Sequence, residues 1–438
     1  MKVLFIDPTY SALALALRAK KAGHEVKVWQ PRTKSGEPRK VGQGMIDKVE
    51  EWRRWMGWAE IIIPTDNAYY IDDLEPFFKQ KYPIFGANRA GGKLELDRCF
   101  GQEILQQCGI KVSPYEEFTS YDKAIKYVKE TGKAYVSKPM GDTDKALSYV
   151  GKTPADLVYK MERWKAKDQL KMGFILQQLV KGEEVAVGGW FGPGGWSKAI
   201  CMNWEEKRLM NDGLGCNTGE QGTVLHYTTS SKLFDDTLAL TTEYLHSINY
   251  VGYVDLNCIV DEKGDPIPLE WTTRFGWPLV NIQAFLHEGD PIEWMADLIE
   301  GRDSLRTKKE VAVGVVMSHG DYPSKWLTQV ENEGSPIYGL TPRRLSQVAF
   351  VDVMRDIAPL DVGGEVEDVE TYCTAGNYIL VGVGLGKSVV KAQEAAYGVM
   401  WDIDLPSNRM FRTDIGDRLE DDLVKLKAKG YCEDIKFE

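Results

Sequence analysis

Runs of apolar residues punctuated by glycine, proline and acidic turns set the first expectations for this chain. Lys2-Val3-Leu4-Phe5-Ile6 is short and almost wholly apolar and predicts a buried strand. After the loop Asp7-Pro8-Thr9-Tyr10, the stretch Ser11 to Ala22 is rich in alanine and leucine and predicts a helix stopped by Gly23. Glu25-Val26-Lys27-Val28-Trp29 predicts a second strand, and strand–helix–strand implies a parallel sheet. Ile61-Ile62-Ile63-Pro64 adds another buried strand, so the first 88 residues or so read as a small doubly wound α/β unit. No GxGxxG occurs there, so a dinucleotide site is not supported.

Further along, helices are expected over Asp97–Cys108 and Tyr121–Glu130, each ended by glycine, with a strand over Ala134–Pro139. Phe174–Val180 and Val185–Phe191 flank Lys181-Gly182-Glu183-Glu184 and read as two strands about a turn. Tyr253–Val260 and Pro268–Thr272 flank Asp261-Glu262-Lys263-Gly264-Asp265 and predict a hairpin. A new unit is expected from about residue 305, opening with the strand Val311–Met317 and holding Tyr378–Gly384 before a long helix.

A length of 438 residues suggests about three domains. With 43% hydrophobic and 27% charged residues, a soluble globular protein fits better than a disordered one. The net charge of -11 argues against general binding to nucleic acid or anionic membranes. Seven cysteines stand singly without a CxxC pair, which suits reduced thiols in a cytoplasm and offers no zinc site. The N-terminal apolar run is too short for a signal peptide, and no apolar run approaches membrane-span length. Thirteen tryptophans are read as core residues.

Candidate chemistry begins in the 253–272 hairpin. Alternation puts Glu270 and Thr272 on one face of their strand, and Asp255 and Asn257 on one face of theirs. Two carboxylates with neutral oxygens beside them suit Mg²⁺ whose octahedron is completed by nucleotide phosphates. An ordinary hairpin with solvent-facing acids would show the same pattern. Lys138 ends a strand before the polar run Gly141-Asp142-Thr143-Asp144-Lys145 and can meet phosphates as a point charge, although strand-end lysines are often merely exposed. Gln177 to Val180, followed by Glu184, could offer backbone groups to an adenine edge and a carboxylate to ribose hydroxyls, or form a plain polar turn. Lys207-Arg208 precedes Asn211 to Gly222, where four glycines among small polar residues predict a loop that places N–H groups against an anion.

The order of these motifs resembles the ATP-grasp superfamily and, within it, phosphoribosylamine–glycine ligases. Asp212-Gly213-Leu214-Gly215-Cys216-Asn217-Thr218-Gly219-Glu220-Gln221-Gly222 is similar to that family's DG…GPNTGGMG loop. Glu270-Trp271-Thr272-Thr273-Arg274-Phe275-Gly276-Trp277-Pro278-Leu279 is similar to EFNARFGDPE, and Phe411 to Arg418 to a YRRDIGYR-like segment. The similarity runs from about Phe85-Gly86 to the C-terminus. It implies a multidomain α/β and α+β chain. Residues 1–88 would be an N-terminal doubly wound domain, 89–304 an ATP-grasp domain with a small ATP-binding part over about 111–182, and 305–438 a C-terminal α+β domain.

The resemblance also implies roles. Asp255, Glu270 and Thr272 would hold Mg²⁺, with Mn²⁺ as an alternative. Lys138, Lys207 and Arg98 would meet ATP phosphates, Arg98 standing where the family usually has a second lysine. Gln177, Gln178 and Val180 would line adenine, and Glu184 would hold ribose. Asn217, Thr218, Gly219 and Arg274 would face a carboxylate substrate and its acyl-phosphate. The reaction implied is activation of glycine or a small amino acid by the γ-phosphate of ATP, then amide formation with an amine. The partners are thus small-molecule amines and amino acids, in a cytoplasmic monomer or small homo-oligomer.

The departures fall in particular places. The family's GGREHA-like first loop is Asp7-Pro8-Thr9-Tyr10-Ser11-Ala12-Leu13-Ala14 here. Thr272 replaces an asparagine ligand, and Trp277 and Leu279 replace an acidic pair. Tyr10 could stack on a base, while Ser11 and its helix N-terminus could still take a phosphate. A different acceptor, such as a modified nucleotide or base, therefore stands beside the family's own, and a non-catalytic nucleotide-binding protein is a further alternative.

Overall fold

The computed structural model describes residues 1–140, 148–167, 173–319, 322–323, 333–406 and 408–438. The polar run 141–145 after Lys138 lies outside them. Strands β1 (Lys2–Ile6), β2 (Glu25–Trp29), β3 (Asp47–Val49) and β4 (Ile61–Pro64) form a parallel sheet in the order β3-β2-β1-β4. The crossover helix Leu13–Lys21 buries Leu13, Ala14, Leu15, Ala16 and Ala19, and Gly23 follows it at φ +96°. Chain order reverses beside β1, so the C-terminal ends of β1 and β4 make the crevice where open α/β sheets take ligands.

A second, antiparallel sheet runs β5-β8-β6-β7, from β5 (Tyr115–Phe118), β6 (Tyr135–Pro139), β7 (Tyr149–Val150) and β8 (Phe174–Gln178). The helices Tyr121–Thr131 and Pro154–Ala166 cover it, closing a separate core of Tyr121, Val128, Leu157, Trp164, Phe174 and Leu176.

The large sheet has ten strands. Eight form its path: β9 (Gly182–Gly192), β10 (Ile200–Arg208), β11 (Asn217–Thr228), β12 (Gly252–Asp261), β13 (Pro266–Thr272), β14 (Val311–His319), β15 (Val348–Phe350) and β16 (Tyr378–Gly386). Their order is β13-β12-β9-β10-β11-β14-β16-β15. Because β14 pairs with β11, this sheet continues without a break past residue 305. Its core also takes Leu419, Leu423 and Leu426 from the last helix. Among the described residues no helix is long and apolar enough to cross a membrane.

Two local expectations need correction. β8 and β9 are not hairpin partners, since β8 belongs to the small sheet and β9 pairs with β12 and β10. Gly182 permits this change of sheet: it sits at φ +154°, and a Cβ there would lie 2.1 Å from the Val260 carbonyl oxygen. The glycine-rich segment before residue 222 is not a loop throughout either. After a short 3₁₀ turn at Asn211–Gly213 the chain enters β11 at Asn217, so Asn217, Thr218 and Gly219 are strand residues. Gly222 serves close strand packing, for a Cβ there would meet the Gly314 carbonyl at 2.6 Å.

Candidate active site

The expected hairpin forms from β12 and β13, and its register puts Asp255 opposite Thr272 and Asn257 opposite Glu270. Opposed residues of an antiparallel pair share a face, so all four side chains lie on one side of the sheet. Glu270 is the centre of a charge cluster. Its carboxylate accepts from Lys207 Nζ at 3.1 Å and from Arg98 Nη1 at 3.1 Å. Lys207 also pairs with Glu205 at 2.8 Å. Lys207 and then burial, Arg98 and Lys138 act on the Glu270 carboxyl, and the net effect holds it well below the usual carboxylate range. Burial opposes charge on Lys207, but Glu205, Glu270 and Glu184 outweigh it and hold that ammonium well above its ordinary range.

Lys138 reaches the cluster from the end of β6. It donates to Gln177 Oε1 and to the Leu269 carbonyl, each at 2.8 Å. Burial lowers its pKa to about 8 despite Glu270 nearby. Arg98 Nε donates to the Pro139 carbonyl at 3.1 Å, so Arg98 and Lys138 both tie the small sheet to β13 or its neighbourhood.

Asn257 donates from Nδ2 to Glu184 Oε1 at 2.8 Å and to Glu205 Oε2 at 3.3 Å. Its Oδ1 is buried without a hydrogen-bond partner among the described residues. Asp255 is 2% exposed, and its Oδ2 accepts from Asn203 at 2.9 Å and Tyr253 at 3.0 Å. Burial first, and Glu205 second, push its carboxyl up to about 7.

Among the described residues no three His, Cys, Asp or Glu side chains converge on a metal position. The donors fit Mg²⁺ in another way. Glu270 is the residue opposite Asn257, whose side-chain oxygen is unpartnered among the described residues, and Mg²⁺ is commonly held by one or two carboxylates with phosphates and water. Asp255 and Thr272 form the next opposed pair.

The remaining candidates divide. Gln177 joins the cluster through Lys138. Gln178 Oε1 instead accepts from Lys133 at 3.3 Å, and Val180 is half-buried in the link between the sheets. Asn217 pairs with Arg208, Thr218 Oγ1 donates to the Lys207 carbonyl at 2.9 Å, and the Gly219 N–H donates to the Tyr378 hydroxyl at 3.2 Å. Arg274 is clamped by Glu95, whose Oε1 lies 3.1 Å from both Nε and Nη2. Glu95 also accepts from the Thr273 N–H and from Asn67.

Sequence reasoning passed over Glu205, Glu95 and Tyr378. Glu205 carries a signal, being two residues before Lys207 on a strand, whereas Glu95 and Tyr378 are brought in only by the fold. The Phe411–Arg418 segment braces the site from outside: Arg412 and Arg418 pair with Glu206 at 3.2 and 2.7 Å.

At the crevice of the parallel sheet a buried carboxylate engages the turn that precedes the first helix. Asp7 is fully buried there and accepts from the Ser11 and Ala12 N–H groups at 2.9 and 3.2 Å and from the Thr65 hydroxyl at 2.8 Å. Two of the N–H groups before the helix, those of Ser11 and Ala12, are thus already taken by a carboxylate.

The chain is similar to known proteins over most of its length. The family model described as "Phosphoribosylglycinamide synthetase, ATP-grasp (A) domain" matches residues 96–279. The phosphoribosylamine–glycine ligase of Salmonella typhimurium is 25% identical over 373 residues, 82% of each chain. The crystal structure of phosphoribosylamine–glycine ligase from Thermotoga maritima superposes with a TM-score of 0.72 at 18% identity, covering 95% of this chain and 100% of that one. The biotin carboxylase domain of Hydrogenobacter thermophilus 2-oxoglutarate carboxylase, solved with MgADP, gives a TM-score of 0.60 at 12% identity over 92% and 90% of the chains. The chain has the ATP-grasp fold and is similar to phosphoribosylamine–glycine ligases.

Proposed function

We propose that the chain is an ATP-dependent carboxylate–amine ligase that works through an acyl-phosphate. The observation that carries this reading is the gathering of Lys138, Arg98 and Lys207 about Glu270 where the small and large sheets meet. Three cations there can take the phosphates of ATP, and Glu270 with Asn257, or with Asp255 and Thr272, would hold Mg²⁺. Mg²⁺, when bound, would supply neutralisation of the phosphate charge.

The protein's own groups do the rest. A carboxylate oxygen of the substrate attacks the γ-phosphorus and ADP leaves. The amine nitrogen then attacks the acyl carbon, inorganic phosphate leaves, and the amine loses a proton. Arg274, held rigid by Glu95, is placed to stabilise negative charge on the transferring group. Gln177, Gln178, Val180 and Glu184 remain the proposed nucleoside contacts.

Glycine or a small amino acid is the proposed carboxylate. For the amine, the buried Asp7 carboxylate favours an acceptor that does not anchor a phosphate at the β1 turn. Tyr10, left-handed at φ +63° beside that turn, offers a ring instead. The division into 1–88, 89–304 and 305–438 stays a proposal, with the large sheet shared between the last two. A cytoplasmic monomer or small homo-oligomer is also proposed; all seven cysteines are unpaired thiols, which fits a reducing compartment.

The test is ADP and phosphate release with Mg²⁺, glycine and a series of amines, products being identified by mass. An amide product supports the reading. Efficient use of phosphoribosylamine, with kcat/KM of about 10⁴ M⁻¹s⁻¹ or more, would overturn the altered-acceptor part. Nucleotide binding without ADP release for any pair would overturn the ligase itself.

A further inference from the structure

Three aromatic rings meet beside Thr218 and Gly219. The Tyr378 hydroxyl accepts the Gly219 N–H at 3.2 Å. The Trp277 ring packs on the Tyr378 ring with centroids 4.5 Å apart, and the Tyr322 ring packs on it at 4.8 Å. The Tyr322 and Tyr378 hydroxyls are hydrogen-bonded to each other. Gly219 makes room for them, since a Cβ there would lie 3.1 Å from the Tyr378 hydroxyl and 3.6 Å from the Trp277 ring. None of the three rings is fully buried.

Their position relates them to the reaction. Thr218, next to Gly219, bonds the backbone of Lys207, whose ammonium rests on Glu270. Trp277 stands three residues beyond Arg274. The acidic pair of the similar family motif is replaced here by Trp277 and Leu279, and the two replacements have different fates. Leu279 is 1% exposed and fills the core. Trp277 stays half-buried and joins the aromatic group next to Gly219. A carboxylate at that place suits an ammonium or hydroxyls, whereas an indole face suits a flat, weakly hydrated group.

Resting on the ligase reading above, we infer that Trp277, backed by Tyr378 and Tyr322, forms a subsite for a planar ring carried by one of the two organic substrates. The chain then prefers a ring-bearing substrate over the pairing of glycine with a small amine. Trp277 is a specificity-determining residue and takes no part in proton or phosphoryl transfer.

The experiment has two arms, both with ATP and Mg²⁺ and the full chain. In one, hydroxylamine is the common small nucleophile, and glycine is compared with phenylalanine and tryptophan as carboxylates. In the other, glycine is fixed, and ethanolamine is compared with amines carried on imidazole or purine rings. The inference expects the ring-bearing member of one arm to exceed its small counterpart about tenfold or more in kcat/KM. Trp277→Ala should raise KM for that substrate about tenfold with a smaller change in kcat, while Trp277→Phe should restore most of the loss.

Calorimetric titration of the same ligands keeps the inference decidable if no pair is turned over. A ring-bearing ligand bound by the native chain and lost in Trp277→Ala supports the subsite even though the ligase reading fails. Preference for the small substrates, equal loss for all substrates in Trp277→Ala, or no binding of any ring-bearing ligand overturns it.

Discussion

Glu270→Gln keeps side-chain shape and removes one charge from the centre of the cluster. In the free protein that carboxylate engages Lys207 and Arg98, each at 3.1 Å. A bound phosphate would lie about 6 Å from the carboxylate, where two like charges repel by about 3 kcal/mol at an effective dielectric of about 20. The Glu270 side chain is 34% exposed, so solvent screening reduces this figure. About 1.4 kcal/mol is a fair working value, equal to tenfold in binding. Two opposite effects follow. Metal-free ATP should bind about tenfold more tightly to the variant, because two cations are released and one repulsion is lost. Mg²⁺-dependent ADP formation should fall about a thousandfold or more, because the proposed metal site loses a carboxylate. Calorimetry of ATP in EDTA and in Mg²⁺, with a coupled ADP assay, reads both, and circular dichroism checks the fold. Unchanged turnover, or weaker binding of metal-free ATP, would refute the placing of metal and phosphates at Glu270.

Thr272→Asn should leave turnover intact and lower the Mg²⁺ concentration for half-maximal rate, because an amide oxygen is a better ligand opposite Asp255; a higher metal requirement would remove Thr272 from the site. Burial, and secondarily Arg18, lower the His287 pKa from its ordinary 6.5 to about 3. The unfolded chain therefore binds a proton in that window while the folded chain does not, and stability present above 6.5 is lost as pH falls toward 3, by at most about 5 kcal/mol. Urea midpoints at pH 7 and pH 4.5 should drop less in His287→Gln than in the native chain; equal drops would sink the assignment. Gly182→Ala puts a Cβ 2.1 Å from the Val260 carbonyl at φ +154° and should cost about 2 kcal/mol or more in thermal unfolding. An unchanged melting temperature would show that the link between the sheets shifts freely.

Local pattern made the parallel sheet and the 252–272 hairpin legible. Val3 to Ile6 and Ile61 to Ile63 are apolar on both faces, as strands buried on both sides must be, and the Asp261–Asp265 turn fixes its hairpin. The same reasoning misread Gly182 and Gly219. Both stand where a turn would put glycine, but their reasons are distant: the Val260 carbonyl in one case, Tyr378 and Trp277 in the other. Strand–turn–strand looks alike in sequence whether the strands pair or part into two sheets.

The chemistry divides in the same way. Glu270 and Lys207 were legible through motif order, and Glu205 was available through alternation on β10. Glu95 was not, for it lies 179 residues from the arginine it clamps and nothing near it in sequence reports the contact. A carboxylate in the loop before a helix, such as Asp7, also looks the same in sequence whether it folds back onto the loop N–H groups or leaves them open to a ligand.

The two ends of the site therefore differ in how complete they are without substrate. At the phosphate end, Lys138, Arg98 and Lys207 are matched by Glu270, Glu205 and Glu184, and the cations also hold the cleft together. Lys138 reaches the Leu269 carbonyl on the large sheet, and Arg98 reaches the Pro139 carbonyl on the small one. A nucleotide entering there must exchange these bonds for its own, so its binding is tied to the spacing of the two sheets. At the substrate end, Arg274 is neutralised by Glu95, and the Gly219 N–H is taken by Tyr378. Around Gly219 stand the half-buried rings of Trp277, Tyr378 and Tyr322. A substrate carboxylate must therefore exchange with Glu95 for Arg274, while the choice of which substrate arrives is proposed to fall to Trp277 and its neighbours.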